Sequence, residues 1–390
     1  MSRPVVKGWC PGAHRPMRSG DGLVVRVRPW LGALSADQAR GLAELAARFG
    51  NGAIDVTGRA NLQIRGVQDA RFPELLEGLD ALGLLDPDDS SEARRNIVLD
   101  PFRPMEHPHD RIAATLGEAL RHAEFAGLPA KFGFVLDTVG PVRRLAGVSG
   151  DIRLESGPGG ALVRADGAPT GRRVRDPEEA LRVALDLARW FLASGGVGAD
   201  GRGRMARHLA GSHRLPAKLT GSHLPSPAEP RPSPGANARG LTVGAAFGQF
   251  TTVQLRQLAD ALPPGAELRV TPFGLLHLTA APAADALAGS GLIATPGNPL
   301  LRVAACVGAP LCPQAEAETR ETALRLAARL PAGIRAHVSG CAKGCACPRA
   351  SELTLIGRDG RFDLVRHGAP WDITERRGLT PADLDHIFGP

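Results

Sequence analysis

The chain contains the same unit twice. Leu34, Gln38, Arg40, Leu42 and Ala43 recur as Phe250, Gln254, Arg256, Leu258 and Ala259, each 216 residues on. Ile54, Val56, Thr57, Leu62 and Ile64 recur as Leu268, Val270, Thr271, Leu276 and Leu278, each 214 residues on. The echo continues, with Ala119-Leu120-Arg121 returning as Ala323-Leu324-Arg325 and Leu128-Pro129-Ala130 as Leu330-Pro331-Ala332. A repeated supersecondary unit has to bury its apolar face against its copy. The expectation is two halves paired about a pseudo-twofold, with a ligand at the interface.

Local pattern names the elements of the unit. Gly22 to Arg28 alternates β-branched residues and reads as a strand with Arg26 and Arg28 on one face. Ser35 with Gln38 forms a capping box ahead of an apolar stripe of Leu42, Leu45 and Ala46. Ile54–Thr57 and Leu62–Arg65 are strands joined by a turn at Gly58-Arg59, and Phe72 to Leu85 reads as a helix. The second copy repeats strand, helix, strand and strand from Gly240 to Leu278. Between the copies lie strands near Ile152–Leu154 and Ala161–Val163, then a helix from Pro177 to Ala193 capped by Asp176 and stopped at Gly195. Gly196-Val-Gly-Ala-Asp-Gly201 matches a dinucleotide glycine pattern but follows a helix instead of a strand, so it reads as a loop. The tail has strands at Leu353–Ile356 and Phe362–Val365 and a short helix from Thr380 to Phe388.

Cysteines distinguish the copies. Cys306 and Cys312 stand in one short Gly/Ala/Pro-rich loop, and Cys341 and Cys345 stand in another. Four thiolates from such loops suit an iron–sulfur cube, one sulfur to each iron corner. Structural zinc takes tighter knuckles. Disulfides need an oxidising compartment, and nothing N-terminal resembles a signal peptide, so a reducing cytoplasm is expected. Plain buried thiols are the remaining alternative. Only the second copy would then hold a cluster.

Composition narrows the partners. The net charge is +7, but no dense basic block exists, Tyr is absent and Phe and Trp are few, which disfavours a nucleic-acid surface. No apolar run reaches the roughly 18 residues a membrane span needs. Arginine far outnumbers lysine, and its planar fork suits carboxylates, so an acidic small molecule or acidic electron donor fits.

Val56-Thr57-Gly58-Arg59-Ala60-Asn61-Leu62-Gln63-Ile64-Arg65 resembles the Thr-x-Arg-Gln-Asn-x-Gln stretch of the sirohaem-dependent nitrite and sulfite reductases. The resemblance extends through Gly22–Arg28, Arg95-Asn96-Ile97-Val98, Leu128–Phe132 and both cysteine pairs. Within that superfamily Trp9-Cys10-Pro11-Gly12, Arg15-Pro16-Met17 and His337–Ala346 are similar to signatures of the precorrin-3B synthases of cobalamin biosynthesis. The resemblance implies an α+β fold of duplicated halves, each a ferredoxin-like half-domain plus a cluster-type α/β domain. The expected divisions are 1–88, 89–209, a Pro-rich linker at 210–239, 240–296 and a cluster domain at 297–390.

The same resemblance implies chemistry. Cys306, Cys312, Cys341 and Cys345 would hold a [4Fe-4S] cluster, with sirohaem added only in a sulfite or nitrite reductase. Arg26, Arg28, Arg59, Asn61, Arg65, Arg95 and Lys131 would bind an anionic tetrapyrrole, with Arg59 and Lys131 nearest the chemistry. Arg26, Arg28 and Arg65 also fit solvated strand-edge charges. The implied reaction is an O2-dependent monooxygenation fed by a separate ferredoxin or NAD(P)H-dependent reductase. The alternatives are a sirohaem reductase and a non-catalytic electron-transfer protein. Gly133 stands where sulfite reductases place a second lysine. A mononuclear non-haem iron is also implied. Glu106-His107-Pro108-His109-Asp110 is its most tempting ligand run, but it reads better as a helix start. His14 and Cys10 are weaker candidates, and His208, His213 and His223 read as surface residues.

Overall fold

A computed structural model describes residues 11–211, 213–283, 285–384 and 386–387. Trp9, Cys10 and the end of the expected C-terminal helix lie outside the described residues. Among the described residues, two five-stranded antiparallel sheets and two five-stranded mixed sheets form the sheet structure.

The antiparallel sheets exchange strands. In the first, Met17–Ser19, Gly22–Val27, Leu62–Val67 and Ala53–Val56 are followed by Gln249–Thr251 from the second copy. In the second, Gly235–Asn237, Gly240–Gly244, Leu275–Leu278 and Leu268–Val270 are followed by Ala33–Leu34 from the first. Each copy thus completes its partner's sheet edge, which removes two exposed edges at once. The visitors are placed alike. Leu31 and Phe247 adopt left-handed backbone conformations at φ 55° and 61° in the turns just before them. Each visiting strand then runs straight into a capping box, Ser35 with Gln38 and Thr251 with Gln254. The helices Ala36–Phe49 and Thr252–Asp260 pack together across the pseudo-dyad. Leu34, Leu42 and Ile64 share one hydrophobic core with Val243, Leu258 and Leu276.

The duplication also takes in the mixed sheets. Ile97–Leu99, Phe134–Asp137, Ile152–Gly157, Gly160–Ala165 and Arg172–Arg173 form the first, with two parallel pairings followed by two antiparallel ones. Val303–Ala305, Ala336–Ser339, Ser351–Arg358, Arg361–Gly368 and Arg376–Leu379 repeat that order and polarity. The strands near Ile152 and Ala161 therefore belong to the first repeat and do not separate the two copies. Each mixed sheet buries one face under helices in a core of its own. The proline-rich stretch lies along the first mixed sheet, where Gly171 pairs with His223 and Arg143 with Ala228.

The helix Pro177–Ala193 has Asp176 as its cap, as its sequence predicts, and residues 196–201 are irregular. His208 departs from the surface reading. It is 8% exposed, with Nε2 2.8 Å from Ser194 Oγ and its ring stacked on His213.

Matched registers reveal how the cysteine-free half is closed. Leu99, Leu136 and Leu154 are partners across the first mixed sheet, as Ala305, Val338 and Leu355 are across the second. The next row is Asp100, Asp137 and Glu155 in the first and Cys306, Ser339 and Ile356 in the second. All three carboxylates are buried. Arg144 pairs with Asp100 at 2.9 Å, and Arg143 and Arg164 pair with Glu155 at 3.1 and 2.8 Å. Asp137 accepts N–H bonds from Arg144 and Leu145 at 3.2 and 2.7 Å. An arginine–carboxylate network thus fills the position that bears a cysteine in the other half.

Burial pushes the Asp137 carboxyl from 3.8 up to about 7, helped by the charges of Asp100 and Glu155 and opposed by its two backbone donors. A carboxyl raised in the folded state contributes full stability below its unfolded value and loses it as pH rises towards the folded one. This group alone withdraws up to ~4 kcal/mol across that window. Asp137→Asn should flatten the decline in urea midpoint between about pH 4 and 7. An unchanged slope would contradict the assignment.

Candidate functional site

The polar face of the first antiparallel sheet gathers the predicted cations. On Gly22–Val27 the core takes Leu23, Val25 and Val27, so Arg26 turns to the other face, opposite Gln63, which pairs in turn with Asp55. Arg26, Arg28, Arg65 and Asn61 are 8, 5, 7 and 8% exposed, which rules out the solvated strand-edge reading. Residues from both mixed-sheet units reach this face. Glu92 and Asn96 meet Arg28, and Arg320 meets Asp55.

Three of the arginines are tied to protein carboxylates. Arg28 donates to Glu92 at 3.2 Å and to Asn96 Oδ1 at 2.6 Å. Arg65 forks onto Asp21 at 3.0 and 2.8 Å and touches Asp55 at 3.4 Å. Arg95 forks onto Asp86 at 2.7 Å on both arms, bonds the Arg28 carbonyl at 2.8 Å and lies over the Trp30 ring at 4.0 Å.

Arg59 and Lys131 come together as a separate pair. Thr57 and Asn61 close the turn by a backbone bond of 2.9 Å, and Ala60 takes a left-handed φ of 53°. That geometry sends the Arg59 guanidinium to the Lys131 carbonyl at 3.1 Å. Lys131 is exposed. Gly133 donates its N–H to Asp151 at 3.0 Å and offers no second cation.

The four cysteines approach from two loops. Cys306 follows the strand Val303–Ala305, and Cys341 follows Ala336–Ser339, its parallel neighbour. Gly340 N–H points at Cys306 Sγ at 3.2 Å. A Cβ on Gly340 would lie 2.6 Å from Ala315 Cβ, so only glycine lets the loops close this tightly. Burial comes first, and the neighbouring thiolates add to it, in pushing the Cys341 and Cys345 thiols above their usual range. Cys306 and Cys312 contribute to both shifts, so the four sulfurs lie within reach of each other's charge. Iron would relieve this mutual repulsion. Among the described residues no three His, Cys, Asp or Glu side chains close around a single ion. Cys347 stands apart, with Sγ 3.7 Å from Ser351 Oγ.

The run Glu106 to Asp110 does not assemble a metal site. His107 caps the helix Pro108–Ala119, its Nδ1 accepting from His109 N–H at 3.3 Å. His109 is buried against Thr138, and burial lowers it to about 3. Asp110 is taken by Arg103 at 2.6 Å. His14 is likewise engaged, 2.6 Å from the Asp86 carbonyl. A mononuclear iron therefore finds no donor set in these residues.

Sequence reasoning missed Glu92, Asp55, Gln249 and Arg320. Glu92 accepts from Ala13 N–H at 2.8 Å, His14 N–H at 3.2 Å and Arg28, so it pins the N-terminal loop to the cationic face. Its short helix, Asp89–Arg94, has no apolar stripe to announce it.

Residues 15–82 match the nitrite/sulfite reductase ferredoxin-like half domain. A precorrin-3B synthase from Sinorhizobium sp is 33% identical, over 96% of this chain and 87% of that protein. The chain belongs to the precorrin-3B synthase family of the nitrite/sulfite reductase superfamily. A ferredoxin–nitrite reductase from Synechococcus elongatus is 26% identical over 91% of this chain and 80% of its own length. The solved Mycobacterium tuberculosis NirA protein shares the fold, with TM-score 0.62 and 20% identity over 94% of this chain and 79% of that one. The duplicated α+β architecture is thus that of the superfamily, and the family is one of oxidoreductases. No described helix is long and apolar enough to cross a membrane.

Proposed function

We propose that this chain oxidises precorrin-3A to precorrin-3B. One atom of O2 becomes a tertiary hydroxyl at C20, and a ring-A acetate closes a γ-lactone. Two electrons and two protons take the other oxygen atom to water. The observation that supports this reading best is the buried cationic face of the first antiparallel sheet, closed over by residues from both mixed-sheet units. A macrocycle edged with carboxylates needs several cations in fixed positions.

The residues divide the work in this reading. Arg59 and Lys131 meet the substrate carboxylates and orient the reacting edge. Arg26 and Asn61 line the face beside them. Arg28, Arg65 and Arg95 are held by Glu92, Asp21 and Asp86, so they present fixed charge with little reorganisation on binding. Cys306, Cys312, Cys341 and Cys345 would hold the [4Fe-4S] cluster, which supplies electrons one at a time. Those electrons come from a separate donor, a ferredoxin or an NAD(P)H-dependent reductase, and the site works in the cytoplasm. Rapid NADH consumption by the purified protein alone would contradict the separate donor.

Sirohaem-dependent sulfite or nitrite reduction is the second reading, favoured by the similarity to the Synechococcus reductase. Gly133 in place of a second cation weighs against it. The absorption spectrum of anaerobically purified protein separates the two. The oxygenase reading predicts a broad cluster shoulder without sirohaem, and stoichiometric sirohaem would overturn it. Arg59→Ala should weaken tetrapyrrole binding by about 1.5–3 kcal/mol, the cost of a lost charge-assisted hydrogen bond. Titration of a porphyrinoid hexa- or octacarboxylate measures this, and an unchanged dissociation constant would remove Arg59 from the site.

A further inference from the structure

Arg320 opens the helix Arg320–Arg329 of the second mixed-sheet unit, yet its head lies against the first antiparallel sheet. Its guanidinium donates to Gln249 Oε1 and stands 4.0 Å from Asp55. Gln249 belongs to the exchanged strand and donates to Asp55 at 2.6 Å. Asp55 in turn touches Arg65 at 3.4 Å, and Arg65 forks onto Asp21.

The start of the Arg320 helix is also tied to a cysteine loop. Thr319, the residue before it, is fully buried and donates its Oγ1 hydrogen to the Cys306 carbonyl at 2.6 Å. That bond fastens the start of the helix to the ligand loop. The charge of Cys306 acts on Arg320. Arg320 Nε is buried and has no hydrogen-bond partner. A buried guanidinium with one N–H unsatisfied is costly unless an acceptor belongs there. A cluster on Cys306 would add anionic sulfur near that helix start, to which Thr319 is already bonded.

We propose that Arg320 positions and electrostatically tunes the cluster, holding its reduction potential up and linking it to the Asp55–Arg65 chain on the sheet where the tetrapyrrole binds. The inference rests on the cluster reading given above. Reduction adds one negative charge to the cluster, and a nearby buried cation favours that charged state. Anions bound beside Arg65 would compete for its fork and change how tightly Asp55 holds Arg320, so substrate binding and electron entry are coupled.

The test is a redox titration of the cluster-loaded full chain, with iron and sulfide assayed on each sample. Arg320→Gln should make reduction roughly tenfold less favourable, a fall of about 59 mV for a one-electron couple. Arg320→Lys should recover most of that fall, and Asp55→Asn should move the potential upward by releasing the competing anion. A fully loaded Arg320→Gln protein with an unmoved potential would overturn the proposal. If Arg320→Gln fails to load, the sign for Asp55→Asn decides, and no upward shift would overturn it. A wild-type protein without iron or sulfide would overturn the cluster reading itself, and this inference with it.

Discussion

Cys341→Ser is expected to abolish the iron–sulfur chromophore and to loosen the second mixed-sheet unit. Cys341 stands two residues beyond the end of the central parallel strand, and its carbonyl accepts the Ser339 hydroxyl at 2.7 Å. The position is fixed by the sheet, so no neighbouring thiol can slide into it. A serine oxygen is a poor substitute for thiolate at an iron corner. The ligand loops contain few apolar contacts, and metal binding in such loops contributes directly to folding stability. Iron and sulfide assays with the absorption spectrum measure the first effect, and thermal unfolding measures the second. Retention of full iron and sulfide would refute the ligand assignment. Cys347→Ser serves as the control and should leave the spectrum intact.

Glu92→Ala should cost about 3–5 kcal/mol, the range for breaking a buried ion pair from one side. Glu92 and Arg28 are 2 and 5% exposed, so the substitution strands a guanidinium that water cannot reach. It also leaves the Ala13 and His14 N–H groups without their acceptor. Gly12 packs so closely that a Cβ there would meet Glu92 Oε2 at 2.6 Å, hence the loop is moulded to this carboxylate. Glu92→Gln keeps one acceptor oxygen and should cost less than the alanine. Urea unfolding measures both, and a loss below about 1 kcal/mol for the alanine variant would show that Arg28 finds another partner.

The repeat was the most legible part of the fold, because periodic apolar positions and two capping boxes survive in both copies. The strands near Ile152 and Ala161 were visible as strands, yet their membership in the repeat was not. Glu155 and Ile356 occupy equivalent places but share no chemistry, so comparing residues gives no hint of the match. The exchanged strands were invisible for another reason. Ala33–Leu34 and Gln249–Thr251 are too short for alternation to register. Their pairing depends on the other copy's edge, which is a tertiary fact.

The candidate site was legible where chemistry is concentrated in short motifs, as at Arg59 and the cysteine loops. Sequence pattern could not tell a buried arginine from a solvated one on a strand edge, because Arg28 is covered by Glu92 and Asn96 and Arg65 by Asp21, Ser19 and Asp55, partners that no local motif announces. Glu92, Asp55 and Arg320 left no motif, because each acts through a partner distant in sequence. His107 and His109 illustrate the converse case. Their run tempted a ligand reading but read better as a helix start, and local capping with burial agrees with the latter.

Turnover of precorrin-3A under isotopically heavy O2, with a reduced ferredoxin as donor, tests the central claim most directly. Mass spectrometry of the product should find one heavy oxygen atom in a lactonised macrocycle. Unchanged precorrin-3A, alongside reduction of sulfite or nitrite by the same preparation, would contradict the claim.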